Sequence, residues 1–241
     1  MTERLYQRDS TLKTFSARVT HAGPEGVVLD RTAFFPAGGG VLGDEGTLVG
    51  PDGAAHRVLE TVEGEQGPLH RLASPAGHPG LAPGASIAGT LDWERRYTLM
   101  RYHTATHVLT GVMFADHGVR VTGNQLTPEK GRVDFAFTEF DRALLDAGFR
   151  RSNEILRQRL DVRVSFLPAD QARARPELFK LETAFRHDLP ELRLVEIVGF
   201  DVQADGGCHV ANLGEVGQLV LTKSENKGKS NRRVYFVLDP A

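Results

Sequence analysis

Apolar and polar residues alternate in short runs over the first ninety positions. FSARVTHAG (15–23), GVVLDRTAFF (26–35), AAHRVLETVEG (54–64) and PLHRLA (68–73) carry the two-residue period of half-buried strands, and glycine or proline punctuates them. ASPAGHPGLAPGA (73–85) is dense in Pro, Gly and Ala, which predicts a loop before a last strand, SIAGTLD (86–92). No long helical period precedes Asp92. Many short strands without helices predict a small β-barrel or sandwich over residues 1–91.

The pattern changes at Asp92. An aspartate suits the N-cap of a helix, and WERRYTLMRYHTATHVLTGVMF follows it, with an end expected near residues 116–118. RVDFAF (132–137) alternates as a strand does. DRALLDAGFRRSNEILRQRL (141–160) has the spacing of an amphipathic helix. VRVSFLP, LRLVEIVGF, VGQLVLTK and RRVYFVL are strand-like, and PELFKLETAF (176–185) fits either state. Helices and strands that do not alternate predict an α+β domain over residues 92–241, with the domain boundary near residue 92. No internal repeat or low-complexity segment interrupts either part.

Composition adds limits rather than detail. With 241 residues, 40% apolar and 25% charged, the chain can bury a substantial core. Its single cysteine, Cys208, excludes an intramolecular disulfide and fits a reducing compartment. A polar N-terminus and the lack of any stretch apolar enough to span a bilayer predict a cytoplasmic protein with no membrane partner. The net charge of −2 is unevenly spread. Residues 1–92 hold 7 Lys+Arg against 11 Asp+Glu, and residues 93–241 hold 22 against 20. KSENKGKSNRR (223–233) carries five cations and one anion, so Lys227, Lys229, Arg232 and Arg233 are candidate phosphate contacts.

The chemistry concentrates in two distant segments. RYHTATHVLTG (101–111) places His103 and His107 four apart, on one face of the predicted helix. Nine histidines make such a pair a common accident, so the motif needs a second piece. It is also not HExxH: Thr104 stands where a metalloprotease carries its general base. The second piece is GFDVQADGGCHVANLGEVGQ (199–218), with Asp205, Cys208 and His209 around a Gly-Gly pair. A tight turn there lets flanking side chains converge, and three imidazoles with one anionic ligand make a tetrahedral set for Zn²⁺. Each group has an ordinary reading as well: a buried histidine, a small core cysteine, a hairpin turn. Asp205 and Cys208 compete for the fourth position. Cys208 adjoins His209, and neighbouring side chains in extended backbone point apart, which favours Asp205. GKS at 228–230 is not a P-loop, since Lys223 occupies the position of the required glycine.

Taken together these segments resemble a known family. WERRYTLMRYHTATHVLTG is similar to the first zinc motif of the alanyl-tRNA synthetase editing domain and its free-standing relatives, the alanyl-tRNA editing (AlaX) proteins. ADGGCHVANLGEVG resembles their downstream CGGTH-type segment. TAFFPAGGGVLGDEGTL (32–48), VTGNQLTPEKGRVDFAF (121–137) and ENKGKSNRRVYF (225–236) resemble three further blocks, in the same order along the chain. The resemblance implies an N-terminal β-barrel followed by an α+β metal-dependent editing domain. It implies a hydrolase that removes serine, and in some members glycine, from misacylated alanine tRNA in trans, without ATP, as a monomer or homodimer.

Carried over by position, the resemblance assigns one Zn²⁺ to His103, His107, Asp205 and His209. The family's ligand cysteine falls on Asp205, and Cys208 falls where threonine is usual. Carboxylate is a harder ligand than thiolate, so metal preference is open to change. Val41 stands where the glycine-rich loop usually ends in Gln, which removes a polar group near the expected substrate contacts Gly38, Gly39 and Gly40. Metal-activated water is the expected nucleophile, with Cys208 the covalent alternative. A pocket that admits serine and rejects alanine needs a partner for the serine hydroxyl, and Thr32, Thr104 and Thr106 are candidates by type. The rival readings are an RNA-binding module with a decayed metal site, a metal-dependent hydrolase for another small ester or amide, and a threonyl-type editing module.

Overall fold

Valine, leucine and phenylalanine at alternate positions close the N-terminal strands on themselves. In the computed structural model, which describes residues 2–73, 79–137, 142–179, 190–228 and 231–239, the backbone packs as two units, Met1–Leu99 and Met100–Ala241. The first unit contains β1 (Glu3–Arg4), β2 (Thr14–Gly23), β3 (Gly26–Leu29), β4 (Arg31–Thr32), β5 (Gly46–Val49), β6 (Ala55–Gly64), β7 (Gly67–Leu72) and β8 (Ser86–Leu91). Six of these form a closed barrel in the order β2-β3-β7-β6-β5-β8, with antiparallel pairing throughout. Closure removes the free edges that such short strands would otherwise expose. Val19, Val27, Leu29, Phe34, Leu48 and Val58 fill the interior.

Two polar groups join that interior. His70 is fully buried; its Nδ1 lies 3.1 Å from the carbonyl of Val27 and its Nε2 2.8 Å from the hydroxyl of Thr32. Thr32 also accepts the N–H of Phe34 at 3.1 Å. Burial pushes the His70 imidazole down to about 4, against a smaller opposing effect of the Val27 carbonyl. Further along, the guanidinium of Arg96 pairs with the carboxylate of Asp44, Nε lying 2.9 Å from each carboxylate oxygen, and also donates to the carbonyl of Ser10 at 3.1 Å. Both side chains are almost wholly buried, so the pair survives by satisfying its hydrogen bonds rather than by simple attraction.

Helix α1 (Trp93–His117) starts as the sequence predicts: the carboxylate of Asp92 accepts the N–H of Arg95 at 3.2 Å. It continues into the second unit. There follow β9 (Arg120–Leu126), β10 (Gly131–Ala136), α2 (Arg142–Leu156), β11 (Val162–Pro168), α3 (Ala169–Arg173), β12 (Glu191–Ile197), β13 (Asp201–Ala204), β14 (Gln218–Asn226) and β15 (Asn231–Asp239). They form a four-stranded sheet, β14-β15-β10-β9, and a three-stranded sheet, β11-β12-β13. The chain is therefore α+β, with a small barrel first.

Three strands lie where alternation is weak: β5, β9 and β13. Most of PELFKLETAF falls outside the described residues. Pro176–Leu178 at its start is a short 3-10 turn. GVVLDRTAFF is not one strand: β3 stops at Leu29, and β4 pairs in parallel with β1. Among the described residues no helix is long and apolar enough to cross a membrane.

Candidate functional site

The middle of α1 breaks the usual rule for helix faces. From Tyr102 to Met113 every residue is buried, including His103, Thr104, Thr106, His107 and Thr110. Polar groups sequestered in this way need partners. The threonines use the helix or its surroundings. Thr106 donates to the carbonyl of Tyr102 at 2.8 Å and Thr110 to that of His107 at 3.2 Å. Thr104 accepts the N–H of Val210 at 3.3 Å.

The two histidines face the segment that follows β13. Their ring centroids lie 4.9 Å apart, and the His209 ring sits 4.2 Å from His103 and 4.5 Å from His107. The Asp205 carboxylate lies among them. Its Oδ1 is 3.1 Å from Nε2 of His209, and its Oδ2 is 3.6 Å from Nε2 of His103 and 3.9 Å from Nε2 of His107. One ligand atom from each of the four residues falls within 4.8 Å of all the others. Cys208 is not a member of this group. It is buried and free of any disulfide, and its backbone carbonyl lies 3.3 Å from Nδ1 of His103.

The turn that presents Asp205 and His209 is held at several points. Asp205 N–H donates to the carbonyl of Arg193 at 3.1 Å, and the Arg193 guanidinium returns a bond to the carbonyl of Asp205 at 2.9 Å. Gly207 N–H donates to the Asp205 carboxylate at 2.7 Å. Downstream, Asn212 and Glu215 form a capping box around the short helical turn Leu213–Glu215. The Gly-Gly pair has a more specific purpose than flexibility. A Cβ on Gly207 would lie 2.5 Å from Cε1 and 2.8 Å from Nδ1 of His103, whereas nothing lies within 4 Å of a Cβ on Gly206. Gly207 is the clearance that admits the His103 ring.

Electrostatics suit a cation. Burial alone would raise the Asp205 carboxyl, but His103, His209 and His107 together hold it well below the usual carboxylate range. Burial first, then the charge of His103, pushes His209 down to about 3, against the opposing pull of Asp205. A carboxylate that stays ionised and an imidazole that stays neutral are the forms in which both groups ligate metals. Three imidazole nitrogens and one carboxylate oxygen are ligand types that a divalent cation such as zinc accepts. Asp205 is also the solvent-facing member, with 22% of its side chain exposed against 5% for His103 and 2% for His209.

The other predicted residues lie elsewhere. Gly38, Gly39 and Gly40 belong to the first unit and form an exposed two-residue turn closed by Val41. Gly38 and Val41 exchange both backbone hydrogen bonds, and the central φ angles are +58° and +81°. Both values are in the left-handed region that glycine tolerates best. Val41 itself is buried. Thr32, with both of its bonds inside the barrel, has no side-chain access to solvent. Lys227 follows β14 and lies 3.8 Å from Glu225. Arg233 makes two 2.7 Å bonds to the Asp134 carboxylate on β10, so its guanidinium is already engaged. Arg232 lies opposite Phe135 in the same sheet. Lys229 falls outside the described residues. Sequence reasoning missed Arg193, whose signal was an arginine between two leucines in the strand-like run LRLVEI, at a position that is buried.

The chain is similar in sequence to known proteins along its whole length. Residues 192–235 match the threonyl and alanyl tRNA synthetase second additional domain. The chain is 39% identical over 241 residues to the alanyl-tRNA editing protein AlaX-M of Saccharolobus solfataricus, covering all of both chains. It is 41% identical over 245 residues to AlaX-M of Methanosarcina mazei, covering 99% of this chain and 97% of that protein. It is also 35% identical over 243 residues to the alanine–tRNA ligase of Ignicoccus hospitalis, where the match covers 98% of this chain but 26% of the ligase.

Proposed function

Because the chain belongs to the alanyl-tRNA editing proteins of the AlaX-M type, we propose that it is a trans-acting aminoacyl-tRNA hydrolase. Its substrate is alanine tRNA carrying the wrong amino acid, serine foremost and glycine second, and the bond cleaved is the ester. The observation that carries this reading is the convergence of His103, His107, Asp205 and His209, from segments a hundred residues apart, within 4.8 Å. One zinc ion per chain is the proposed cofactor, with Asp205 rather than Cys208 as the fourth ligand.

When bound, zinc supplies Lewis acidity, lowering the pKa of a water or polarising the ester carbonyl. The chain's own groups set the stage for it. Nδ1 of His103 faces the carbonyl of Cys208, which only accepts, so the proton sits on Nδ1 and Nε2 is left bare toward the cluster. Asp205 faces solvent, the side from which an ester can approach. No side-chain nucleophile is required, and Cys208 contributes its carbonyl. The hydroxyls of Thr104 and Thr106 are bonded within the fold, so they serve the site as structure. Lys227, Arg232 and Lys229 are the proposed phosphate contacts, and the Gly38–Gly40 turn a proposed contact to the substrate backbone. With tRNA as its substrate, the protein is proposed to act in the cytoplasm, which its single cysteine fits.

The test is deacylation of seryl-tRNA(Ala) by the wild type and His103→Ala, with zinc content measured alongside. The variant should lose zinc and at least about a thousandfold in rate, equivalent to roughly 4 kcal/mol of barrier. Wild-type protein that binds tRNA with no turnover would favour the RNA-binding module. Turnover that survives the substitution would overturn the metal mechanism.

A further inference from the structure

We propose that Thr104 is a positioning residue for the cluster, its hydroxyl holding the His209 ring with Nε2 toward Asp205 whichever ring nitrogen carries the proton. The assignment rests on the metal-centre reading above. Thr104 is fully buried. Its Oγ1 lies 3.0 Å from Nδ1 of His209 and accepts the N–H of Val210 at 3.3 Å. One hydroxyl thus ties α1 to both the ring and the backbone of the ligand turn.

The contrast with His103 shows why a hydroxyl is needed. The Nδ1 of His103 faces a carbonyl, which accepts and cannot donate, so one tautomer is selected permanently. His209 is under two demands. Its Nε2 lies 3.1 Å from a carboxylate oxygen, which calls for a proton on Nε2 when no metal is bound. A ligating Nε2 carries no proton, which then belongs on Nδ1. The group opposite Nδ1 must therefore donate in one state and accept in the other. A carbonyl does one, a methyl does neither, and a hydroxyl that rotates about its C–O bond does both. Thr104 meets the requirement without moving the ring.

The experiment compares zinc affinity, by competition with a chromogenic chelator, for the full-length wild type, Thr104→Val, Thr104→Ser and Ser152→Ala. Ser152 is a fully buried helix hydroxyl that donates to the carbonyl of Gly148 at 2.8 Å, so its removal controls for a lost buried hydroxyl. Thr104→Val should bind zinc about 10- to 100-fold more weakly, with Thr104→Ser and Ser152→Ala within about threefold of wild type. Long-range ¹H–¹⁵N spectra of the zinc-loaded wild type should show His209 protonated at Nδ1. Equal affinity of the valine variant, a serine variant as weak as valine, or a bare Nδ1 in the loaded protein would each overturn the assignment. If Thr104→Val does not fold, the serine variant and the ring spectrum decide. A wild type that takes up no zinc overturns the metal reading and this assignment with it.

Discussion

Adding a single methyl at Gly207 should dismantle the proposed metal centre while leaving the fold in place. A Cβ there would sit 2.5 Å from Cε1 of His103. Carbon–carbon contacts settle at about 3.5 Å or more, so the ring must retreat by roughly 1 Å. It has little space to do so, because it already stacks on His209 with centroids 4.2 Å apart. Metal–ligand distances are held to about 0.2 Å, so a displacement of this size takes Nε2 out of the donor set and strains the Nδ1 bond to Cys208. We expect Gly207→Ala to lower zinc affinity by at least about 100-fold. Overpacking should cost about 1–3 kcal/mol in the stability of the metal-free chain. Chelator competition reads the first quantity and urea denaturation the second. Gly206→Ala is the control, since nothing lies within 4 Å of its Cβ and its φ is not left-handed. If Gly207→Ala binds zinc as tightly as Gly206→Ala, the packing argument for the site is wrong.

Two further outcomes follow from the same geometry. Asp205→Cys should keep a four-donor set and raise the preference for zinc over manganese, because thiolate is the softer ligand; zinc loss as complete as in Asp205→Ala would show that a side chain at 205 must reach as a carboxylate does. In the barrel, His70 is held down to about 4 by burial, below its unfolded value of about 6.5. The folded state therefore binds fewer protons than the unfolded state between those values, so this stability is present above pH 6.5 and lost as pH falls toward 4. Between pH 7 and pH 5 the loss should be about 2 kcal/mol, measured by urea denaturation of the metal-free protein, and His70→Gln should abolish that part of the pH dependence.

The elements legible in the sequence were those whose signal is local. Period-two alternation marks β2, β6, β8 and β10, and the Asp92 cap with its polar-to-apolar transition marks α1. β9 was missed because Gly123, Asn124 and Gln125 interrupt any alternation, and β13 because four residues carry almost no period. Both gain their place from the neighbouring strands, which no local window contains.

The site divides in the same way. HxxxH is a local fact: once α1 is a helix, His103 and His107 share a face. The identity of the anionic partner was a preference in the sequence, since Asp205 and Cys208 are both near enough along the chain. The folded chain gathers the Asp205 carboxylate with the three histidines and leaves the Cys208 side chain outside that group; the Arg193 guanidinium donates to the Asp205 carbonyl, and the Cys208 carbonyl faces Nδ1 of His103. The clearance at Gly207 and the bond from Thr104 to His209 likewise join positions about a hundred residues apart. Hydrophobic periodicity reports which face of an element is buried and nothing about which buried polar group it will meet. That meeting is set by how the chain returns on itself, and only the folded molecule specifies it.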